Sequence, residues 1–162
     1  MTTATTIRDA FKAIVEAHIA GVSFHSVWTP AKDEDSATLF PTCLWGAPST
    51  QVQTIDSQAL RPSFLMDCLF MEQTASDRTN AERDAAHSKM DAIARQCWAK
   101  FYQTYIIASN SFQGVPLDFD PEGITVTFLP IWDDRTMQMT GVRMSARIVS
   151  GAPDICEDYF NA

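Results

Sequence analysis

Ser63-Phe64-Leu65-Met66-Asp67-Cys68-Leu69-Phe70-Met71, inside the stretch 61–73, is the run whose reading decides the fold. Asp67 is its single charge, and the near-continuous apolar character predicts a strand at a central position in a sheet. Downstream, Thr79-x-x-Glu82 spells a capping box, which predicts that the longest helix opens there. Met90, Ile93, Ala94, Cys97, Trp98, Phe101, Tyr105 and Ile106 recur at helical spacing and form its apolar stripe. Arg83, Lys89, Asp91, Arg95 and Lys100 fall on the polar face, and the helix is expected to end near Ser109-Asn110.

Upstream, Ile7, Phe11, Ile14, Val15, His18 and Ile19 also keep helical spacing, with Thr6 as N-cap and Gly21 as the stop. Residues 22–28 alternate like a strand ended by Pro30. Residues 38–45 read as a second strand near an edge, because Pro41 cannot donate to a ladder. The Gly/Pro/Ser/Thr/Gln-rich stretch 46–60 is weakly patterned and reads as a long connection, partly extended. After a turn-rich link to Gly123, residues 124–132 and 137–149 form a closing hairpin. Asp133-Asp134-Arg135-Thr136 is its expected loop, with an interruption or bend at Gly141. The order is therefore α-β-β-β-α-β-β, an α+β fold with a mostly antiparallel sheet packed on one long helix. Residues 1–150 make one domain and 151–162 an acidic tail.

Apolar residues make up 46% of the 162, enough for a core, and no run reaches the ~18 apolar residues a membrane helix needs. The opening Met1-Thr2-Thr3-Ala4-Thr5-Thr6 lacks the basic and apolar regions of a signal peptide, so the chain is expected to stay in the compartment where it is made. The net charge is -8, and the stretches 30–60, 110–123 and 151–162 each carry -3 of it. Acid thus collects in connections and the tail, and no basic stripe marks a surface that grips nucleic acid.

Chemistry-bearing residues are scattered. Cys43, Cys68, Cys97 and Cys156 are far apart with no CxxC, and His18, His25 and His87 do not approach them at zinc spacing. Reduced thiols acting as small hydrophobes are expected, with Cys97 buried and inert on the helix stripe. His25 meets Cys43 only if the first two strands pair in the right register. His18 reads as a core-edge residue and His87 as exposed. Asp118-Phe119-Asp120-Pro121-Glu122-Gly123 matches the first half of an EF-hand loop, but the twelfth position is Leu129, where calcium needs a bidentate Glu. It reads as a solvated turn entering a strand. Trp98 looks like core, while Trp28, Trp45 and Trp132 end strands and suit a protein–protein interface. None of the common nucleotide, esterase or metalloprotease motifs occurs. The expectation is a non-enzyme with no cofactor and no metal.

Phe128-Leu129-Pro130-Ile131-Trp132 leads through a turn into Met139-Thr140-Gly141-Val142-Arg143-Met144-Ser145-Ala146-Arg147-Ile148, followed by Pro153 and Cys156. This ending, together with the element order, resembles the tail terminator or tail-completion family of tailed bacteriophages. The resemblance implies a virion structural protein, assembled in the host cytoplasm. Its subunits would form a closed ring, usually hexameric, that caps the tail tube protein and joins it to the head–tail connector or neck protein. Genome DNA would pass through without sequence-specific binding, and no membrane is involved. The acids Asp33, Glu34, Asp35, Asp118, Asp120 and Glu122 would then line the passage and repel phosphates. The stretch 46–60 becomes a candidate arm that orders on assembly. A neck or connector subunit is the neighbouring alternative. A small cytosolic ligand-binding or thiol-dependent enzyme and a dimeric adaptor are the readings from other classes.

Overall fold

The apolar run lies in β4, Ala59–Gln73, at the centre of the main sheet. The structure is a computed structural model and describes residues 2–19, 21–26, 41–46, 49–54, 59–73, 79–134, 139–151 and 154–155. On one side β4 pairs antiparallel with β8, Met139–Val149, from Ser63↔Val149 to Gln73↔Met139. On the other it pairs with β2, Thr42–Trp45, and with β3, Ser49–Thr54. β7, Thr125–Asp134, lies outside β8, and β1, Ser23–Ser26, lies outside β2. The short β9, Asp154–Ile155, pairs with the first residues of β4. A separate two-stranded hairpin, β5 Ser111–Phe112 and β6 Val115–Pro116, turns through Gln113 and Gly114, both at positive φ. The fold is α+β with a mostly antiparallel sheet.

Both helices cover one face of that sheet. α1, Ala4–His18, packs on α2 and β1, and α2, Asn80–Phe101, lies across β4 and β8. Side-chain alternation explains the choice of face. Phe64, Met66, Cys68 and Phe70 on β4 share an inward side with Val142, Met144, Ala146 and Ile148 on β8, and all are buried. Phe11 of α1 ties the layers together. Its ring centroid lies 5.7 Å from Trp45, 6.4 Å from Phe70 and 5.7 Å from Phe101.

The capping box holds as expected: Thr79 Oγ1 accepts from the Glu82 amide while the Glu82 carboxylate accepts from the Thr79 amide. Several other expectations change. The α1 cap is Thr3 rather than Thr6, whose own amide donates to Thr3 Oγ1 at 3.1 Å. α2 does not run on as α-helix towards Asn110; it widens into a π-helical stretch, Tyr102–Ile107, that keeps Tyr105 and Ile106 buried. β1 and β2 are parallel, not antiparallel, so the chain between them is a crossover whose residues 27–40 lie outside the described ones. The stretch 46–60 is extended in part, as expected, but it is more than a connection, because Ser49–Thr54 forms β3 and pairs with β4. Its side chains are too polar to announce a strand; the ladder with β4 supplies what the pattern lacks. β7 runs through Asp134 with a register shift after Ile131, so Asp133 and Asp134 belong to the strand and 135–138 lie outside the described residues. Within the tail, Asp154–Ile155 is strand, and 156–162 lies outside the description.

Gly141 does not break β8. Its place is set by the neighbouring backbone, because a Cβ there would run into the Phe70 carbonyl oxygen. Gly141→Ala must push β8 away from β4 beside buried Phe70 and Met71. We expect a loss of about 3 kcal/mol or more, read as a drop of roughly 6 °C or more in Tm. A melting point within 2 °C of wild type would contradict that packing.

Candidate functional site

The face of the sheet turned away from the helices holds the most developed polar constellation among the described residues. It follows from the alternation in β8, where Arg143, Ser145 and Arg147 point outward between buried Val142, Met144, Ala146 and Ile148. Register sets the rows. Leu129, Arg143, Leu69 and Leu44 lie side by side, then Thr127, Ser145 and Asp67, then Thr125, Arg147, Leu65 and Ser49.

Asp67 is the fastened centre. Arg143 Nε donates to its Oδ1 at 3.0 Å, Arg143 Nη2 donates to Oδ2, and Ser145 Oγ donates to Oδ1. The Arg143 guanidinium holds the Asp67 carboxyl below its ordinary value of 3.8; partial burial works against it, and the Ser145 hydroxyl adds to the lowering. With its oxygens committed in this way, Asp67 is a poor general base for Ser145. The arrangement fixes a charged pattern on a flat surface rather than activating a nucleophile. Beside it, Gly46, Asp67, Leu69, Ile131 and Arg143 line a shallow depression of about 400 Å³.

Apolar side chains share this face. Leu65 is 40% exposed and Leu129 50%, on either side of the arginines. Arg147 has no acidic partner among the described residues. No described helix packs here.

The structure brings Asp118, Asp120 and Glu122 together just before β7. Asp120 is already employed: its Oδ1 accepts from the Glu122 amide at 3.0 Å to cap the 3-10 turn Pro121–Gly123, and its Oδ2 lies 3.5 Å from Arg61 Nη1. Asp118 and Glu122 are exposed. This is the turn into a strand that the half EF-hand motif suggested, and no group of ligands placed to hold a metal ion occurs among the described residues. Asp33, Glu34 and Asp35 lie outside the described residues.

Three cysteines converge in the core, which linear spacing did not announce. Cys43 and Cys68 come from adjacent strands and Cys97 from α2, and each is at most 1% exposed. Burial pushes the Cys97 thiol up to about 12 and the Cys68 thiol well above its ordinary value. Register places Phe24, not His25, opposite Cys43. His18 is exposed rather than at the core edge, and His87 is half-buried rather than exposed. Trp45 is fully buried, so it does not serve a surface; the side chain of Trp132 and all of Trp28 lie outside the description. Among the described residues no helix is long and apolar enough to cross a membrane. A scan against protein-family models finds no match to this chain, and a search of curated proteins finds no similar sequence.

Two outcomes follow from this geometry. Because the carboxyl of Asp67 is lowered in the fold, its contribution is complete above the ordinary carboxylate value and fades as pH falls through the folded one. Asp67→Asn should therefore cost about 1 kcal/mol in urea unfolding at pH 7, and the deficit should shrink as pH falls through the folded value of the wild-type carboxyl. A deficit that stays constant with pH would contradict the pairing. For the thiols, a Cys156→Ser chain should take up less than one equivalent of a disulfide reagent when native and three in denaturant. Rapid native labelling would restore the thiol-dependent enzyme as a reading.

Proposed function

We propose that this chain is a ring-forming structural subunit of a phage-like particle, a tail terminator that caps the tail tube and joins it to the head connector. The observation that carries the reading is the face of the sheet that no described helix covers. Leu65 and Leu69, on the central strand, face away from the core, as does Leu129 on β7, with Arg143 of β8 between Leu69 and Leu129. A monomer gains nothing from apolar side chains there, whereas a neighbouring subunit buries them.

The resemblance of the closing hairpin to tail-terminator endings supplies the kind of assembly. β7 adds a second element, for it is ten residues long and no described strand pairs with its outer side. Pro130 removes one donor from β7, a feature that discourages indiscriminate strand pairing. Different surfaces meeting head to tail close into a ring, while a twofold dimer would join like surfaces. A neck or connector subunit would use the same contacts. In such a ring Asp118, Asp120 and Glu122, with Asp33, Glu34 and Asp35, are the candidate acids of the DNA passage, where carboxylates repel phosphates and the genome slides.

Completing the burial of Leu65 and Leu129 is worth about 1 kcal/mol each. Leu65→Asp with Leu129→Asp should leave Tm within a few degrees of wild type. It should lower the ring population seen by native mass spectrometry at high protein concentration by tenfold or more. A wild-type chain found as a tight dimer, or a double variant that assembles unchanged, would overturn the reading.

A further inference from the structure

Two strands have an outer edge with which no described strand pairs, and they lie on opposite sides of the sheet. β7 ends the path β1-β2-β4-β8-β7. β3 sits across β4 from β8, since Ser63, Phe64 and Leu65 pair with β8 on one side and with β3 on the other. Soluble proteins commonly guard such edges with charge or proline. Ser49–Thr54 carries neither, and Thr125–Leu129 carries neither before Pro130.

We propose that β3 of one copy pairs antiparallel with β7 of the next over Thr125–Leu129, so that the sheet continues from subunit to subunit. The proposal rests on the ring reading above and adds a strand contact to the burial of Leu129.

Strand direction selects a second copy as the occupant. β4 is antiparallel to β8 and β8 to β7, so β7 runs with β4. β3 is antiparallel to β4 and therefore runs against β7. A copy turned about an axis along the strands keeps that sense. Its β3 then meets β7 antiparallel, the pairing β3 already makes with β4, and the helices of both copies stay on one side of the joined sheet. Unlike edges pass the contact on from copy to copy, as a ring requires, whereas β7 against β7 would stop at a dimer.

Side chains fix the register. Thr50 pairs with buried Phe64, so Thr50 and Val52 lie on the helix side of the sheet, yet Val52 is 48% exposed. Val126 and Phe128 lie on the same side of β7, half-buried at the margin of the core. The longest ladder that keeps helix-side residues together and leaves Pro130 beyond its end runs from Ser49 opposite Leu129 to Gln53 opposite Thr125. It sets Val52 opposite Val126 and Thr50 opposite Phe128. Val52 gains apolar cover there, and the flank of the core at β7 is closed.

The test introduces Val52→Cys and Val126→Cys together in a Cys156→Ser chain, whose three remaining thiols are buried. The variant is oxidised with diamide at a concentration where native mass spectrometry shows the ring. Directly opposed side chains lie within disulfide reach, so the expected result is a ladder of linked dimers, trimers and higher species on a denaturing gel. Gln51→Cys in place of Val52→Cys turns the thiol to the other face and should cut the linkage at least tenfold. Val52→Lys should lower the ring population at least tenfold. Val52 is exposed, so this variant should fold, and circular dichroism checks it. Links that stop at dimers after complete oxidation would mean that like edges meet, and would overturn the proposal. A ring that forms without linkage and survives Val52→Lys overturns the strand pairing while the ring reading stands. If the wild-type chain never assembles, the ring reading fails and takes this pairing with it.

Discussion

The backbone ladder between β4 and β8 carries the rest of the structure. Its eleven register pairs run from Ser63↔Val149 to Gln73↔Met139, and at Gly141 the two chains come too close for any side chain. That contact fixes which residues face inward on both strands at once. A slip of one residue would turn one strand over relative to the other, sending either Met66 and Cys68 or Met144 and Ala146 to solvent and bringing Asp67 or Arg143 into the core. The helices depend on the same register. α2 lies on the apolar side that the ladder creates, and Phe11 anchors α1 where Trp45, Phe70 and Phe101 already meet.

The same register dictates what is left outside. β4 is apolar on both of its sides, yet the described helices serve one of them. On the other side, the Asp67–Arg143–Ser145 cluster pins two strands together while Leu65 and Leu129 stand partly open. A polar pattern fastened among exposed leucines mixes apolar area with charges that select orientation more than they add affinity. The core thiols point the same way. Three cysteines sit together in it, but burial takes two of them away from the thiolate form that chemistry would use.

Much of the frame was legible in the sequence, and particular residues explain where it was not. Thr79 and Glu82 announce their helix because the cap is a local interaction, satisfied within four residues. The central place of β4 was readable from its apolar run. The parallel pairing of β1 with β2 was not, since it is decided by a crossover and not by any residue in either strand. β3 escaped notice because Ser49, Thr50, Gln51 and Val52 are all exposed and gain their order from β4 alone. Of the candidate acids, Asp120 proved to be a turn cap paired with Arg61, a role that sequence spacing cannot separate from metal ligation or a channel lining. The open face was half written: the alternation from Arg143 to Arg147 is plain, but Asp67 joins it only through pairing seventy-six residues away.

In the proposed ring, a neighbouring subunit covers this face. Hydroxyl-radical footprinting of the full chain across a concentration series measures it directly, residue by residue. Oxidation of Leu65, Leu69 and Leu129 should fall together as assembly rises, while exposed Ile107, at the end of the π-helical stretch, keeps its reactivity. Leucines that oxidise equally in monomer and assembled particle would contradict it.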